Sequence, residues 1–351
     1  MSSFSHEIYN WYFENKRDLP WRKTSDPYKI WISEIILQQT RVAQGINYYN
    51  QFVEEFPTVF DLAAASEDYV LKMWQGLGYY TRARNLHYTA KYIVNNYNGV
   101  FPDNFKTILS LKGIGNYTAA AIASIAFNLP HAAVDGNISR VISRYFGITA
   151  PIDSEKGKTD IQRIATDLIS TKNAGIHNQA FMEFGALQCI PKSPNCNLCP
   201  VKENCYAANN KLTDQIPLKT KKVKQSTRYF YYYIIESKNF ILLEKRTKKD
   251  IWKNLHQFPL FESECELSDT EILELKVPVL SKININIRSV SSIVKHILTH
   301  QTIYARFIHI ETDNNNMNDS NFIRVNKKDI YKFAVPKLLE QHLEKINLTE
   351  N

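Results

Sequence analysis

LKGIGNYTAAAIASIAF, residues 111–127, sets the architecture of the first half of the chain. Its two glycines, Gly113 and Gly115, permit a tight turn with positive φ and a close approach of the backbone to another molecule. The alanine-rich residues 118–127 are strong helix formers, and the N–H groups that open such a helix can hold a phosphate without reading sequence. The run therefore predicts a hairpin between two helices, either a plain turn or a contact for a nucleic-acid backbone.

The chain on both sides of this hairpin has a helical pattern up to about residue 205. Apolar residues recur at steps of three and four, as at Ile32, Ile35 and Ile36. Breaks such as Phe-Pro at residues 56–57 and 101–102 separate the segments. Many short helices with tight loops predict an all-α domain.

Asp135, in the sequence Val-Asp-Gly-Asn of residues 134–137, stands before a helix predicted over about residues 137–145. A carboxylate at a helix start is stabilised as the anion. The position therefore suits a plain N-cap as well as a catalytic group.

Glu34 is predicted to share one helix face with Trp31, Ile35 and Gln38, because Glu34, Ile35 and Gln38 follow Trp31 by three, four and seven residues. Apolar neighbours desolvate a carboxyl group, raise its pKa and favour its protonated form. The alternative is a partly exposed acid paired with Arg41.

A protonated Glu34 and an ionised Asp135 would suit cleavage of an N-glycosidic bond. Adenine leaves poorly until a ring nitrogen is protonated, and the sugar then develops oxocarbenium character that a nearby anion stabilises. The two acids are therefore compatible with cleavage of an N-glycosidic bond.

Four of the five cysteines are clustered, with the spacing Cys189-x6-Cys196-x2-Cys199-x5-Cys205. So close a set in a long chain without a secretory signal favours a metal centre over a disulfide framework. The unequal spacing favours a [4Fe–4S] cluster, with zinc as the alternative. Cys265 stands apart and is predicted to be an ordinary residue of a second domain.

The character of the chain changes after Cys205. Polar, basic residues at 208–227 predict a linker, and residues 313–318 predict a polar loop. Aromatic and β-branched runs predict strands at residues 229–235, 240–243, 283–285 and 303–310, with a closing helix over about residues 336–345.

The fold class that follows is an α+β multidomain chain. An all-α domain is predicted at residues 1–207 and a mixed α/β domain at residues 228–351. Lysine and arginine exceed aspartate and glutamate by 43 to 35, a net charge of +8 that suits a polyanionic partner. No apolar stretch approaches the roughly 18 residues that span a bilayer, and the N-terminus has no apolar signal core, so we expect a cytoplasmic protein without membrane contact.

Together these motifs resemble the MutY-type adenine DNA glycosylases of the endonuclease III-like helix-hairpin-helix superfamily. The resemblance covers essentially the whole chain and is strongest over residues 7–205. It is carried by the hairpin, the four cysteines and the sequences LPWR at 19–22, SEIILQQT at 33–40, GLGYY at 76–80 and VDGN at 134–137. It implies a monomeric base excision repair enzyme that acts on duplex DNA with an 8-oxoguanine·adenine mispair and carries a [4Fe–4S] cluster.

The resemblance also implies catalytic roles. Glu34 would protonate N7 of a flipped adenine, Asp135 would stabilise or transiently bond the sugar C1′, and Asn137 would order the catalytic groups. Tyr117 occupies the position where bifunctional relatives carry a Schiff-base lysine. A monofunctional enzyme is therefore expected, with Tyr117 hydrogen-bonded to both carboxylates.

Residues that contact DNA follow from the same resemblance, although core packing is the alternative for the aromatic ones. They are Trp21, Arg22 and Gln179 around the flipped adenine, Gln39 and Tyr80 as wedges beside the opposite base, and Gly113 and Gly115 at the backbone.

The second domain resembles the Nudix-like module of this family but lacks the Nudix hydrolase box, so no pyrophosphatase activity is expected. In the family this module recognises 8-oxoguanine, through a loop that usually reads Phe-Ser-His. Here the loop reads Leu298-Thr299-His300, which keeps the hydroxyl and the ring but loses the first aromatic. The alternative is a plain strand–turn segment.

Three other functions are compatible with part of the pattern. An oxidised-pyrimidine glycosylase with lyase activity is disfavoured by Tyr117 and by the second domain. A non-catalytic iron–sulfur protein that binds DNA and senses redox state is disfavoured by Glu34 and Asp135. A Nudix-type nucleotide hydrolase is disfavoured by the missing box.

Overall fold

The computed structural model describes residues 3–220, 225–274, 286–312 and 321–346. Contacts divide the chain into two compact units, residues 1–64 with 85–221 and residues 65–84 with 222–351. The predicted domain limits did not include this excursion, in which residues 65–84 join the second unit. Within the described residues, every helix is too short or too polar to span a bilayer.

The first unit is helical, which confirms the predicted class. Side-chain caps open several helices: Asp26 accepts from the N–H of Tyr28, and Ser154 accepts from that of Gly157. The helices up to residue 209 are α1 (Ser3–Asn15), α2 (Pro27–Ile36), α3 (Val42–Glu55), α4 (Val59–Ala64), α5 (Glu67–Met73), α6 (Thr81–Tyr97), α7 (Phe105–Ser110), α8 (Asn116–Phe127), α9 (Gly136–Phe146), α10 (Glu155–Leu168), α11 (Ala174–Leu187) and α12 (Tyr206–Asn209). Of these, α5 and the first turn of α6 belong to the second unit.

Helix α11 packs against α1, α8 and α9. The shared core includes Ile8, Ile142, Phe181 and Phe184, all of them almost completely buried. Burial of a large apolar side chain stabilises a fold by about 1.5–3 kcal/mol. This core therefore fixes the helix ends that carry the polar side chains described below.

The predicted hairpin joins α7 to α8, with a turn in which Ile114 donates its N–H to the carbonyl of Leu111. Gly113 has φ +85°, and a Cβ there would lie 2.7 Å from Cβ of Asn85. Gly115 has an ordinary extended backbone with φ −97°, and a Cβ there would meet nothing within 4 Å. Only Gly113 is therefore needed for the turn itself, whereas Gly115 keeps the start of α8 open.

The second unit contains a mixed sheet of eight strands among its described residues. The elements that follow α12 are β1 (Ser226–Glu236), β2 (Phe240–Lys245), β3 (His256–Gln257), β4 (Leu260–Ser263), α13 (Asp269–Glu274), β5 (Asn286–Val290), β6 (Val294–Ile297), β7 (Gln301–Glu311), β8 (Ile323–Asn326) and α14 (Lys337–Ile346). The main strand order is β3-β2-β1-β7-β5, and β1 and β7 run parallel along their full lengths.

The strands predicted at residues 229–235, 240–243 and 303–310 are present as β1, β2 and β7, and the closing helix is α14. The strand predicted at residues 283–285 and the loop at 313–318 lie outside the described residues, as do residues 221–224 of the predicted linker.

Candidate active site

A cavity of about 240 Å³ in the first unit brings Glu34, Tyr117 and Asp135 together. Glu34 lies in the last turn of α2, Tyr117 in the first turn of α8, and Asp135 directly before α9. Trp21, Arg22 and Gln179, which the resemblance placed around a flipped base, line the same cavity, and so does Asn137, which it placed beside the catalytic groups.

Glu34 is only 7% exposed, because Trp31 and Ile35 beside it are buried in the core. Burial raises the pKa of Glu34 to about 7, although a hydrogen bond from Tyr117 lowers it in part. No ion pair joins it to Arg41 in the part of the chain that the structure describes. Helix α2 ends at Ile36, so Gln38 lies beyond the predicted helix face and instead donates to Thr118 Oγ1 at 3.2 Å.

Asp135 is both the N-cap of α9 and a wall of the cavity. Its Oδ1 accepts from the N–H of Ile138 at 2.7 Å, and its Oδ2 accepts from Asn137 Nδ2 at 2.8 Å. Burial raises the pKa of Asp135, whereas these two hydrogen bonds and the charge of Arg140 lower it. The anion of Asp135 thus has more compensating partners than that of Glu34, and it lines the same cavity.

Tyr117 was predicted to hydrogen-bond both carboxylates, but of the two its hydroxyl bonds Glu34 alone, and it also donates to Met182 Sδ at 3.7 Å. Asp135 acts on it through charge alone. Burial and the two carboxylates raise the pKa of Tyr117 well above its ordinary value. The phenol therefore stays protonated and is a donor to Glu34.

Glu183 is a site residue that the sequence reasoning missed. It is 1% exposed, lines the same cavity, and holds both Arg17 and Arg22 in ion pairs. Its spacing of four residues from Gln179 on α11 is the signal that could have found it, because the two side chains share one helix face.

The predicted wedge at Tyr80 is corrected by the structure. The ring of Tyr80 is 5% exposed, whereas the neighbouring Tyr79 is 42% exposed with φ +48°. The guanidinium of Arg82 lies 5.7 Å from the Tyr79 ring centre and donates to the carbonyls of Leu77 and Gly78, so the turn is fixed with Tyr79 outward. Tyr79 rather than Tyr80 therefore presents its side chain at the surface and is the candidate for a wedge.

Gln39, the other predicted wedge, is exposed and has φ +59°. Positive φ is uncommon for residues other than glycine and is often found at functional sites, where surrounding structure holds the strain. Gln39 and Tyr79 share this feature, each in its own unit.

Residues 298–300 form the turn between β6 and β7, closed by a 2.8 Å hydrogen bond from the N–H of Leu298 to the carbonyl of Gln301. The backbone of residues 298–300 is therefore a tight strand–turn. The Thr299 hydroxyl lies 2.5 Å from that of Tyr79. Both residues and His300 line a cavity of about 410 Å³ within the second unit.

The four clustered cysteines line one cavity of the first unit, and none is in a disulfide. Burial and then the neighbouring thiolates raise the pKa of Cys199 to about 12, so four thiolates here require a compensating cation. Arg144, which is 2% exposed, donates to Cys189 Sγ at 3.4 Å. Within the described residues no three acidic, histidine or cysteine side chains are spaced for a single metal ion. Four cysteine thiolates in one cavity are the donor set of a [4Fe–4S] cluster and equally of a tetrahedral zinc ion.

Comparisons with known proteins agree with this arrangement. A family model described as HhH-GPD superfamily base excision DNA repair protein matches residues 32–167, and one for the NUDIX domain matches residues 230–345. The adenine DNA glycosylase of Buchnera aphidicola subsp. Acyrthosiphon pisum is 39% identical over 284 residues, 81% of this chain and 79% of the relative. That of Homo sapiens is 40% identical over 225 residues, 62% of this chain and 41% of the relative.

Solved structures of similar fold include a thermostable thymine-DNA glycosylase, with a TM-score of 0.56 and 32% identity over 59% of this chain and 96% of that one. Endonuclease III in a non-covalent complex with DNA has a TM-score of 0.52 at 22% identity, over 60% of this chain and 95% of that one, which shows the fold alone. Because the sequence identity extends along most of this chain and of the Buchnera relative, and because the HhH-GPD model matches, the chain belongs to the adenine DNA glycosylases of the HhH-GPD superfamily of base excision DNA repair proteins.

Proposed function

We propose that this adenine DNA glycosylase excises adenine paired with 8-oxoguanine, with Glu34 as the general acid and Asp135 as the stabilising anion. The observation that carries the proposal is the pairing, in one cavity, of a carboxyl group whose pKa is about 7 with a carboxylate bonded by Ile138 and Asn137. Catalytic acids work best when their pKa lies near the operating pH.

The reaction follows from this pairing. Flipping delivers the adenine to the cavity at a cost of a few kcal/mol. Glu34 gives its proton to N7, the C1′–N9 bond breaks with its electron pair going to the purine, and the sugar becomes a cation beside Asp135. Water then adds to C1′ and loses a proton to the Glu34 carboxylate, which restores the acid.

The reaction is proposed to be monofunctional. A lyase needs an amine that forms a Schiff base with C1′ of the opened sugar, and Tyr117 supplies a phenol that stays protonated. Treatment with borohydride during the reaction should therefore trap no covalent complex between the protein and DNA.

Recognition of the base opposite adenine is proposed for the cavity of the second unit. Thr299 and His300 offer a hydroxyl and a ring, and Trp252 lines the same space. These groups supply polar contacts and a stacking surface for an oxidised purine. The enzyme is proposed to act as a monomer on duplex DNA.

The deciding experiment measures single-turnover excision of adenine placed opposite 8-oxoguanine, guanine and thymine in otherwise identical duplexes. We expect the 8-oxoguanine duplex to react fastest and the thymine duplex not at all. Equal rates on all three would contradict the specificity while leaving the adenine chemistry intact.

Replacement of Tyr79 tests the corrected wedge. Tyr79→Ala should slow excision of adenine opposite 8-oxoguanine by about tenfold or more, since stacking an aromatic ring on a base is worth about 1–3 kcal/mol. Tyr80→Phe is the matched control, because it keeps the buried ring and should change the rate by less than about twofold. If Tyr80→Phe were the slower of the two, the correction would be wrong.

The cysteine cavity is proposed to hold a [4Fe–4S] cluster through Cys189, Cys196, Cys199 and Cys205. When bound, the cluster orders residues 189–205 and does not enter the excision chemistry. Cys199→Ser should reduce the iron content, because iron–sulfur clusters are held by cysteine thiolates, and the loss of order in the loop should weaken binding to mispaired duplex measurably. Cys265→Ser, at an exposed cysteine outside the cavity, is the control and should leave both measurements unchanged. Full binding by an iron-free variant would refute the structural role.

A further inference from the structure

Glu183 is almost completely buried in the wall of the Glu34 cavity, where it forms ion pairs with the guanidinium groups of Arg17 and Arg22. Arg17 donates from Nε and Nη2 to its two carboxylate oxygens at 2.9 and 2.5 Å. Arg22 donates from Nη1 and Nη2 to the same two oxygens at 2.9 and 2.7 Å. Bonds of this forked kind are strong and fix the plane of each guanidinium.

The carboxylate of Glu183 stays ionised at neutral pH. Burial alone would raise the pKa of Glu183, but the hydrogen bonds from Arg17 and Arg22 outweigh it and hold the pKa at about 2. Two guanidinium groups share one carboxylate, so the cluster keeps one positive charge on the cavity wall. In the part of the chain described here, Arg17 Nη1 and Arg22 Nε have no hydrogen-bond partner, and both residues line the cavity.

We infer that Glu183 is a positioning residue for base selection, which holds Arg17 and Arg22 so that their unused N–H groups read the flipped base. An arginine offers donors and no acceptor. Such a wall fits a purine whose six-membered ring presents bare nitrogens, as N1 and N3 of adenine do. It disfavours guanine, which carries hydrogen at N1, and it disfavours protonation on this side of the ring, so the proton is directed to N7. This inference rests on the proposal that the cavity receives the adenine.

The test compares binding to two duplexes, each with 8-oxoguanine opposite the probe position. One carries 2′-fluoro-2′-deoxyadenosine, whose fluorine suppresses the sugar cation and so blocks cleavage, and the other carries a tetrahydrofuran abasic analogue. Glu183→Gln should weaken binding to the first by about tenfold or more, because charge-assisted bonds are roughly twice as strong as neutral ones. Binding to the second, which has no base to read, should change by less than about twofold. Glu183→Asp should recover part of the loss.

Equal losses on both duplexes would overturn the inference, because a merely structural role affects them alike; unchanged binding to the first would overturn it as well. Wild-type protein gives an independent check that needs no variant. The duplex with a base should bind more tightly than the abasic duplex, and replacing adenine by 1-deazaadenine or by 3-deazaadenine should remove this gain in affinity for at least one of the two analogues. If both analogues kept the full gain, the arginines would not read the ring nitrogens. Glu34→Gln should keep this gain while losing excision, so failure of the proposed chemistry is distinguishable from failure of this inference.

Discussion

Glu34→Gln should reduce the single-turnover rate of adenine excision by about 10²- to 10⁴-fold, the usual worth of a general acid. Glutamine has nearly the same shape, and its oxygen can still accept the hydrogen bond from Tyr117. Glutamine has no acidic proton to give to N7, so the adenine departs unprotonated and therefore slowly. Binding to the duplex with the abasic analogue should be retained, which separates loss of chemistry from loss of fold.

The matched control is Glu236→Gln, since Glu236 is also a buried acid but pairs with Lys327 in the second unit. That variant should excise adenine at a rate within a factor of about two of the wild type, whatever it does to stability. Near-normal excision by Glu34→Gln, with binding intact, would show that another group delivers the proton.

The pH dependence of the wild-type excision rate also tests whether Glu34 is the general acid. Because burial raises the pKa of Glu34 to about 7, the acid is protonated below that pH and ionised above it. Excision should therefore fall as pH rises through about 7, toward tenfold per pH unit. On the acid side the rate should fall once Asp135 is protonated, at a pH above the ordinary aspartate pKa, because burial raises its pKa. In Glu34→Gln the fall above pH 7 should disappear.

Much of the fold follows from local signals in the sequence. The alanine-rich residues 118–127 form α8, and the aromatic run at residues 229–235 lies inside β1, because helix and strand formation depend on nearby residues. The excursion of residues 65–84 into the second unit has no such signal. It depends on pairs such as Lys245 with Asp68, which are 2.5 Å apart in space and far apart in sequence.

The residues of the candidate site could be predicted only through the resemblance to a known family. Glu34 and Asp135 lie on different helices, and composition or periodicity alone could not bring them to one cavity. Glu183 was missed because an acid inside an apolar helix gives no local sign that two arginines meet it. The choice between Tyr79 and Tyr80 depended on which way one turn faces, and Arg82 decides that through its bonds to Leu77 and Gly78.

The second large effect is expected at Asp135, where the same side chain serves the fold and the reaction. Asparagine is as good an N-cap as aspartate. In Asp135→Asn its oxygen can still accept from the N–H of Ile138, so the free energy of unfolding should change by less than about 1 kcal/mol. The negative charge beside C1′ is lost, however, and removal of one preorganised electrostatic group costs about 10²- to 10³-fold in rate.

Ser154→Ala supplies the contrast to Asp135→Asn, because Ser154 caps α10 and does not line the Glu34 cavity. It should lower the free energy of unfolding by about 1 kcal/mol and leave excision unchanged. Thermal or denaturant unfolding and single-turnover excision, measured on both variants, then separate the two functions of Asp135. If Asp135→Asn lost stability but kept its excision rate, Asp135 would be a cap and nothing more, and the cation at C1′ would have to be stabilised by another group of the cavity wall.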